Sequence, residues 1–426
     1  MLSLEIKKFR DPSWDFRTAD TKRYTHCFHP YPAMMIPQVA GRILDEFGIG
    51  AKTLFDPFCG TGTSLVEANL RGINAVGTDI NPLARLIAKV KTTPLSPDSL
   101  NAYISDFTSF VLSIRSGKKE LTPQIPKFQN LEYWFKKETL YWLAVIKTYI
   151  ESIKEPDIRD FFKVAFSETV REVSLTRNSE FKLYRMNSQQ IKRFNPDVLT
   201  IMFEKLERNR KGMIEYILQK DNKSISYVYG FDTVQGIPSD VLPEESVDIV
   251  VTSPPYGDSR TTVAYGQFSR LSNQWLGLCK VNEVDKKSLG GTRRRKLRKF
   301  GIDLLDEVVY RIASIDPNRA LDVVSFYVDY ERSINNVAKV VRIGGIVAYV
   351  VGNRKVKGVT IPNDEITRIM FERNGFAHVV TIVREIPNKK MPKRNSPTNV
   401  AGKTDTTMNQ EYIVILKRVL RGEGIC

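Results

Sequence analysis

The sequence predicts an α/β protein: a mainly parallel sheet covered by helices, with a mostly helical domain inserted into it. Three observations carry this reading. Short apolar or β-branched runs at 53–56, 75–79 and 248–252 each end abruptly in turn chemistry. Helical periodicity separates the first two runs and returns after the third, the alternation that parallel sheets require. Over 96–225 that alternation gives way to helical patterns alone. A chain of 426 residues can bury a sizeable core and has room for two or three domains.

The totals narrow the partners. Hydrophobic content of 42% with 26% charged residues is ordinary for a globular protein, but a net charge of +16 is not. It suggests a polyanion, nucleic acid before membrane surface, with plain solubility as the bland alternative. Cys27, Cys59, Cys279 and Cys426 are scattered without CxxC spacing, which suggests free thiols in a reducing compartment. No signal-like core or membrane-length run occurs, so the expected location is cytoplasmic, at the nucleoid.

In chain order, residues 1–24 read as an irregular arm, followed by a turn and an apolar helix over 34–47. His26, Cys27 and His29 invite a metal reading. The one remaining histidine, His378, is far away in sequence, so a lining turn is preferred and no metal is expected. Residues 53–95 read as a βαβ unit: a strand, the turn Asp56-Pro57-Phe58-Cys59-Gly60-Thr61-Gly62, a helix over 64–71 closed by Gly72, and a strand ending at Asp79. The turn matches neither GxGxxG nor GxxxxGK[ST], so no pyrophosphate cradle is offered. An acid after the second strand suits a ribose, whose vicinal hydroxyls a carboxylate can accept. A nucleoside cofactor without pyrophosphate fits both features.

The 96–225 insertion reads as helices over 131–153 and 161–173, then a mixed basic and aromatic stretch holding Arg177, Lys182 and Arg185. Such mixtures suit phosphate and base-edge contacts, against the alternative of a solvated basic face. The core fold resumes over 226–278 with a strand ending near Asp232 and another running into Ser253-Pro254-Pro255-Tyr256. Two prolines cannot continue a ladder. The following stretch 257–266, with Arg260, reads as a loop over the site. A second insertion, 279–320, holds the densest positive run: Arg293, Arg294, Arg295, Lys296, Arg298 and Lys299, read as an exposed loop and clamp on the DNA backbone. Over 321–426 the alternation returns: a helix over 322–340, a strand over 346–351, a helix over 363–374, and strands over 377–383 and 411–417.

The turn at 56–62, taken together with Ser253-Pro254-Pro255-Tyr256, resembles the S-adenosylmethionine-dependent DNA amino-methyltransferases. The resemblance covers about 24–95 and 226–417 and neither insertion. It implies a Rossmann-like methyltransferase fold with a mainly parallel, seven-stranded sheet. It also implies S-adenosylmethionine as cofactor, S-adenosylhomocysteine as product, and double-stranded DNA as partner, mostly in restriction–modification beside a separate endonuclease. Under it Asp56, Phe58, Gly60, Thr61 and Gly62 attend the cofactor, Asp79 takes the ribose hydroxyls, Ile80 flanks the adenine and Asp232 accepts from the adenine amine. Tyr24, Thr25, His29 and Pro32 correspond more loosely to a segment covering the methionine. Cys59 is expected to do no chemistry, and for Asp56 capping of the turn competes with cofactor contact.

The tetrad suits methylation of an exocyclic amine, whose lone pair is delocalised into its ring. Acceptors on both N–H groups, Ser253 Oγ and the Pro254 carbonyl, would favour the pyramidal, nucleophilic form. Tyr256 would stack on a base flipped out of the duplex, with Pro255 shaping the turn. Serine at the tetrad's first position favours cytosine N4 over adenine N6, on the resemblance. Methylation at cytosine C5 needs a cysteine nucleophile, typically after proline, and no Pro-Cys pair occurs. An RNA guanine-N2 enzyme would usually carry Asp at position 253. A non-catalytic DNA-binding protein would not need acids and a tetrad at successive strand ends.

Overall fold

The structure is a computed structural model describing residues 7–177, 180–257, 263–278, 283–386, 394–395, 405–406 and 409–420. Strand β1 (Lys8–Arg10) and two single-turn 3-10 helices, Pro12–Trp14 and Tyr24–Cys27, precede α1 (Pro37–Phe47). Then come β2 (Thr53–Asp56), α2 (Thr63–Leu70), β3 (Asn74–Thr78) and α3 (Pro82–Thr92). A helical stretch follows: α4 (Pro97–Arg115), α5 (Leu131–Trp134), α6 (Lys137–Ser152), α7 (Pro156–Glu172), α8 (Ser188–Arg193) and α9 (Val198–Gln219). Strands β4 (Ser226–Tyr229) and β5 (Val247–Thr252) return to the sheet. Beyond them lie α10 (Tyr265–Trp275), α11 (Val284–Lys287), α12 (Asp303–Ile315), α13 (Pro317–Val340) and β6 (Val341–Val351). The hairpin β7 (Arg354–Val356) and β8 (Val359–Ile361), then α14 (Asn363–Glu372) and β9 (Phe376–Glu385), lead to the short pair β10 (Arg394–Asn395) and β11 (Asp405–Thr406). The last strand is β12 (Gln410–Arg418).

Among the described residues the sheet has eight strands, in the order β1-β9-β12-β6-β5-β2-β3-β4. Only β12 runs against the others, pairing antiparallel with both β6 and β9. Successive side chains go to opposite faces, and both faces are covered. Leu54, Ala75, Ile249, Val251, Ala348 and Ile413 join α1 and α2 on one side. Phe55, Val76, Val250, Val347, Tyr349 and Val414 join α12, α13 and α14 on the other. This is why the strands read as near-continuous apolar runs rather than alternating ones.

The expectation of seven strands is corrected to eight. The arm expected to be irregular supplies β1, in register with β9 from Lys8 with Thr381 to Arg10 with Val383. Three residues, Lys-Phe-Arg, carry no period that could announce a strand. What makes them one is the unpaired edge of β9, which β1 satisfies. The helix expected over 131–153 breaks at the extended, buried Phe135, giving α5 and α6. Helix α13 starts earlier than expected, at Pro317, where the Asp316 side chain accepts from the Arg319 backbone N–H at 3.1 Å.

The helices of 97–219 do not close a core by themselves. Their apolar faces share one cluster with Phe28, with Leu83, Ile87 and Val90 of α3, and with Leu271 and Trp275 of α10. The segment 289–312 is likewise integrated: Leu289, Phe300, Ile302, Leu305 and Ile312 sit in the cluster under α13.

Close approach fixes where α9 lies. A Cβ on Gly212 would stand 2.4 Å from the Tyr24 carbonyl oxygen and 2.6 Å from Cys27 Sγ. Gly212→Ala is therefore expected to destabilise the fold by about 1–3 kcal/mol, since the backbone must move to admit a methyl group. Urea unfolding measures this; an unchanged midpoint would show that the close approach yields freely.

Candidate functional site

Parallel pairing sets the site. Asp56 lies opposite Gly77, Thr78 opposite Tyr229, and Phe55 opposite Val250, so β2, β3, β4 and β5 end along one edge. From β2 the chain proceeds to β3 and β4 on one side, then returns to place β5 and β6 on the other. The crevice at such a reversal is where open α/β sheets take ligands.

The residues following these strands meet in one cavity. Asp56, Phe58, Gly60 and Thr61 come from the turn after β2, Asp79 and Ile80 from the end of β3, and Asp232 from beyond β4. Ser253 and Pro255 come from the end of β5, and Pro32 from the segment before α1. The glycine turn and two residues of the tetrad, Ser253 and Pro255, thus face the same space.

The turn is pinned from several sides. Asp56 Oδ1 accepts from Thr252 Oγ1 at 2.6 Å and from the Phe58 backbone N–H at 3.0 Å, while Oδ2 accepts from Ser64 Oγ. Asp79 accepts from the Gly60 and Asn81 backbone N–H groups at 3.1 and 2.7 Å. Gly60 has φ of +49°, and a Cβ on it would meet nothing within 4 Å, so its backbone borders open cavity. At Gly62, φ is +79° and a Cβ would stand 3.0 Å from Ala88 Cβ. Gly62 does not line the cavity; it lets α2 approach α3. Pro254 is buried behind the lining, and Tyr256 reaches Ser253 through its hydroxyl at 3.1 Å.

Burial shapes the electrostatics. It raises Asp56 to about 6, against the pull of its Ser64, Thr252 and Phe58 hydrogen bonds. Asp79 and Asp232 are also raised by burial, opposed by backbone N–H donors. Burial holds the Cys59 thiol well above its ordinary range, leaving it protonated and inert. Three carboxylates around one space can accept from hydroxyls and amines and favour a cationic ligand.

Three of the sequence-designated residues lie elsewhere. Tyr24 and Thr25 belong to the 3-10 helix packed on α9, where Thr25 Oγ1 donates to the Lys91 carbonyl at 2.9 Å. His29 is buried, with Nδ1 2.6 Å from the Pro30 carbonyl and its ring edge-on to Phe268. The chain reaches the cavity only after this turn, through Tyr31 to Met35.

Sequence reasoning missed several lining residues. Tyr31 and Tyr265 stack at 5.8 Å between ring centres, and Val284, Lys287, Ser288 and Leu289 wall the cavity from beyond α10. Tyr31 lay within a stretch already singled out; Lys287 had no motif around it.

The basic run is less free than the expected exposed loop. Arg293 pairs with Asp322 at 2.6 Å, Arg294 with Asp329 at 2.9 Å and Arg298 with Glu331 at 2.8 Å, all acids of α13. Arg295, Lys296 and Lys299 are exposed and have no ion pair among the described residues. The segment of Arg177, Lys182 and Arg185 folds back through a Thr176–Arg185 bridge and packs Phe181 on Phe268 of α10, beside the cavity. Arg177 is exposed there, Lys182 half-buried, and Arg185 lies over the Tyr133 ring at 4.1 Å. Arg260 lies outside the described residues. Among the described residues no group of three or more His, Cys, Asp or Glu could hold a metal ion, and no helix is long and apolar enough to cross a membrane.

Comparison with known proteins adds to this geometry. Residues 23–113 match a family described as RMKL-like, methyltransferase domain. The chain is 41% identical to the Type II methyltransferase M.MvaI of Kocuria varians, over 95% of this chain and 93% of that one. It is 38% identical to the Type II methyltransferase M.MjaII of Methanocaldococcus jannaschii over 20% of this chain and 16% of that one. Among solved structures, an rRNA methyltransferase, AviRa of Streptomyces viridochromogenes, aligns with 96% of this chain and 94% of its own. The TM-score is 0.34 and the identity 11%.

The raised Asp56 makes a pH prediction. The folded protein holds this proton more tightly than the unfolded chain, so the stability it contributes is complete below about pH 4. That contribution is lost as pH rises through about 6. Asp56→Asn should abolish it: wild-type stability relative to the variant is expected to decline between these limits in urea titrations. A difference that does not vary with pH would remove the assignment.

Proposed function

Because the chain belongs to the Type II methyltransferases, we propose that it transfers a methyl group from S-adenosylmethionine to the exocyclic N4 amine of a flipped-out cytosine in double-stranded DNA. In this reading it serves as the modification partner of a separately acting restriction endonuclease. The observation that carries the reading is the shared cavity: the glycine turn and Ser253 face one space, so a donor and an acceptor held by them can meet directly.

The residues fit the cofactor. The open space before Gly60 suits the methionine end, Asp79 the ribose hydroxyls, Ile80 one face of the adenine and Asp232 the adenine amine. Asp56, buried and joined to both loops, favours a positive charge nearby while also capping the turn. Asp79 accepts from backbone N–H groups on both oxygens and retains lone pairs for hydroxyl donors. S-adenosylmethionine, when bound, supplies an electrophilic methyl group on a sulfonium.

The chain's own task is then to present the amine. Ser253 Oγ and the Pro254 carbonyl accept from its two N–H groups, favouring the geometry in which the nitrogen lone pair leaves the ring system. Tyr256 stacks on the everted base. These groups place and stabilise; none needs to act as a strong base. Serine at 253 favours cytosine over adenine on the resemblance to the DNA amino-methyltransferases.

Phosphate contacts are assigned to the free cations Arg295, Lys296 and Lys299, with the stretch of Arg177, Lys182 and Arg185 beside the cavity as the candidate reader of bases. Arg293, Arg294 and Arg298 brace the run on α13.

Incubation with genomic DNA and labelled S-adenosylmethionine, followed by nucleoside mass analysis, is expected to yield N4-methylcytosine. The Ser253→Ala variant should fold and bind cofactor yet yield little product. N6-methyladenine would move the substrate to adenine, and absence of any methylated nucleoside would overturn the reading. Replacing Arg295, Lys296 and Lys299 by Glu should weaken DNA binding regardless of sequence. It should also lower the slope of log affinity against log salt by about 0.9 for each phosphate no longer neutralised; an unchanged slope would return these residues to a plain solvated surface.

A further inference from the structure

Tyr256 does more than follow Ser253 in the chain. Its hydroxyl lies 3.1 Å from Ser253 Oγ and 3.1 Å from Glu411 Oε1. The other oxygen of Glu411 accepts from Arg384 Nη1. Glu411 and Arg384 face each other across the β12–β9 ladder, and Arg384 is buried. Its other donors go to backbone carbonyls of the arm: Nε to Trp14 at 2.8 Å and Nη2 to Asp15 at 3.3 Å.

The chemistry of these groups gives the chain a direction. A guanidinium only donates, and a carboxylate only accepts. Arg384 therefore donates to Glu411, and Tyr256 must spend its single hydroxyl proton on Glu411. The Tyr256 oxygen is then left as an acceptor on its Ser253 side. Ser253 must donate to it, which turns the Ser253 lone pairs away from Tyr256.

We propose that Glu411 and Arg384 are positioning residues that act through Tyr256 to orient the Ser253 hydroxyl, so that Ser253 Oγ offers the target amine lone pairs rather than a proton. This rests on the reading of Ser253 as an amine acceptor and deepens it. A serine rotating freely would spend part of its time donating to the amine nitrogen, occupying the lone pair that must attack. Burial, and next the Glu411 carboxylate, hold the Tyr256 phenol well above its ordinary range, so its proton stays in place for the relay.

Glu411→Gln tests the direction of the chain. Because Arg384 can only donate, the new amide must turn its carbonyl to Arg384 and its NH2 to Tyr256. Tyr256 then accepts from residue 411 and donates to Ser253, reversing the relay. Single-turnover transfer to genomic DNA fragments is expected to fall roughly ten- to a hundredfold. Dissociation constants for S-adenosylmethionine and for DNA should stay within about twofold. Tyr256→Phe, which keeps the ring, should be slowed similarly, and the double variant should be no slower than Tyr256→Phe alone, because residue 411 acts only through that hydroxyl. A purely structural role for Glu411 would instead slow the double variant by the product of the two effects.

Wild-type transfer by Glu411→Gln, or multiplicative effects in the double variant, would overturn the proposal. Thermal unfolding reports whether each variant is folded. If Glu411→Gln does not fold, Tyr256→Phe decides alone, and wild-type turnover in it overturns the relay. Ser253→Ala separates the two levels. If it retains wild-type turnover, the tetrad reading falls and the relay with it; if it is inactive while Glu411→Gln is unimpaired, only the relay falls.

Discussion

The structure depends on one buried carboxylate that joins two strands at their ends. Asp56 closes β2 and accepts from Thr252, the last residue of β5, and from Phe58 and Ser64 around the glycine turn. Parallel pairing brings β2 and β5 side by side but does not fix how the loops beyond them lie. The Asp56 hydrogen bonds do, by tying the turn to the residue just before Ser253. The cost of burying the group is visible in its raised pKa, which stops at about 6 because three donors offset desolvation.

Around this junction the cavity is assembled in layers. Asp79 is held by two backbone N–H groups and continues the hydrogen-bonded frame. Tyr31 and Tyr265 add a stacked aromatic wall. Residues from Val284 to Leu289 close the far side, and the same stretch runs directly into the basic tract braced on α13. The cavity wall and the cationic surface are thus successive parts of one segment, anchored by Leu289 and Phe300 in the core beneath α13.

Much of the sheet was legible in the sequence, because a strand buried on both faces has a run of apolar residues and a sharp polar stop. β2, β3 and β5 stood where their runs placed them, and Ser253 and Asp79 at their ends line the cavity. β1 was not legible, since three residues with no period become a strand only when the edge of β9 is there to pair with. The turn around His29 shows the opposite failure. Its composition looked like a lining segment, but Tyr24 and Thr25 pack on α9 and the end of α3, His29 packs on Phe268 of α10, and the chain reaches the cavity just beyond them. Charge was the least legible feature. A run of seven residues with six cations reads as one exposed patch, whereas acids spaced along α13 engage half of those cations.

By itself the sequence determined the α/β class and the two loops that end at the cavity, because these are properties of short contiguous stretches. Tertiary structure alone decided which side chains share a cavity, which cations remain free, and that Glu411 stands against Tyr256 from 155 residues away. Those are relations between strands and helices that meet only on folding. The direction of a hydrogen bond can be read only once both of its partners are in place.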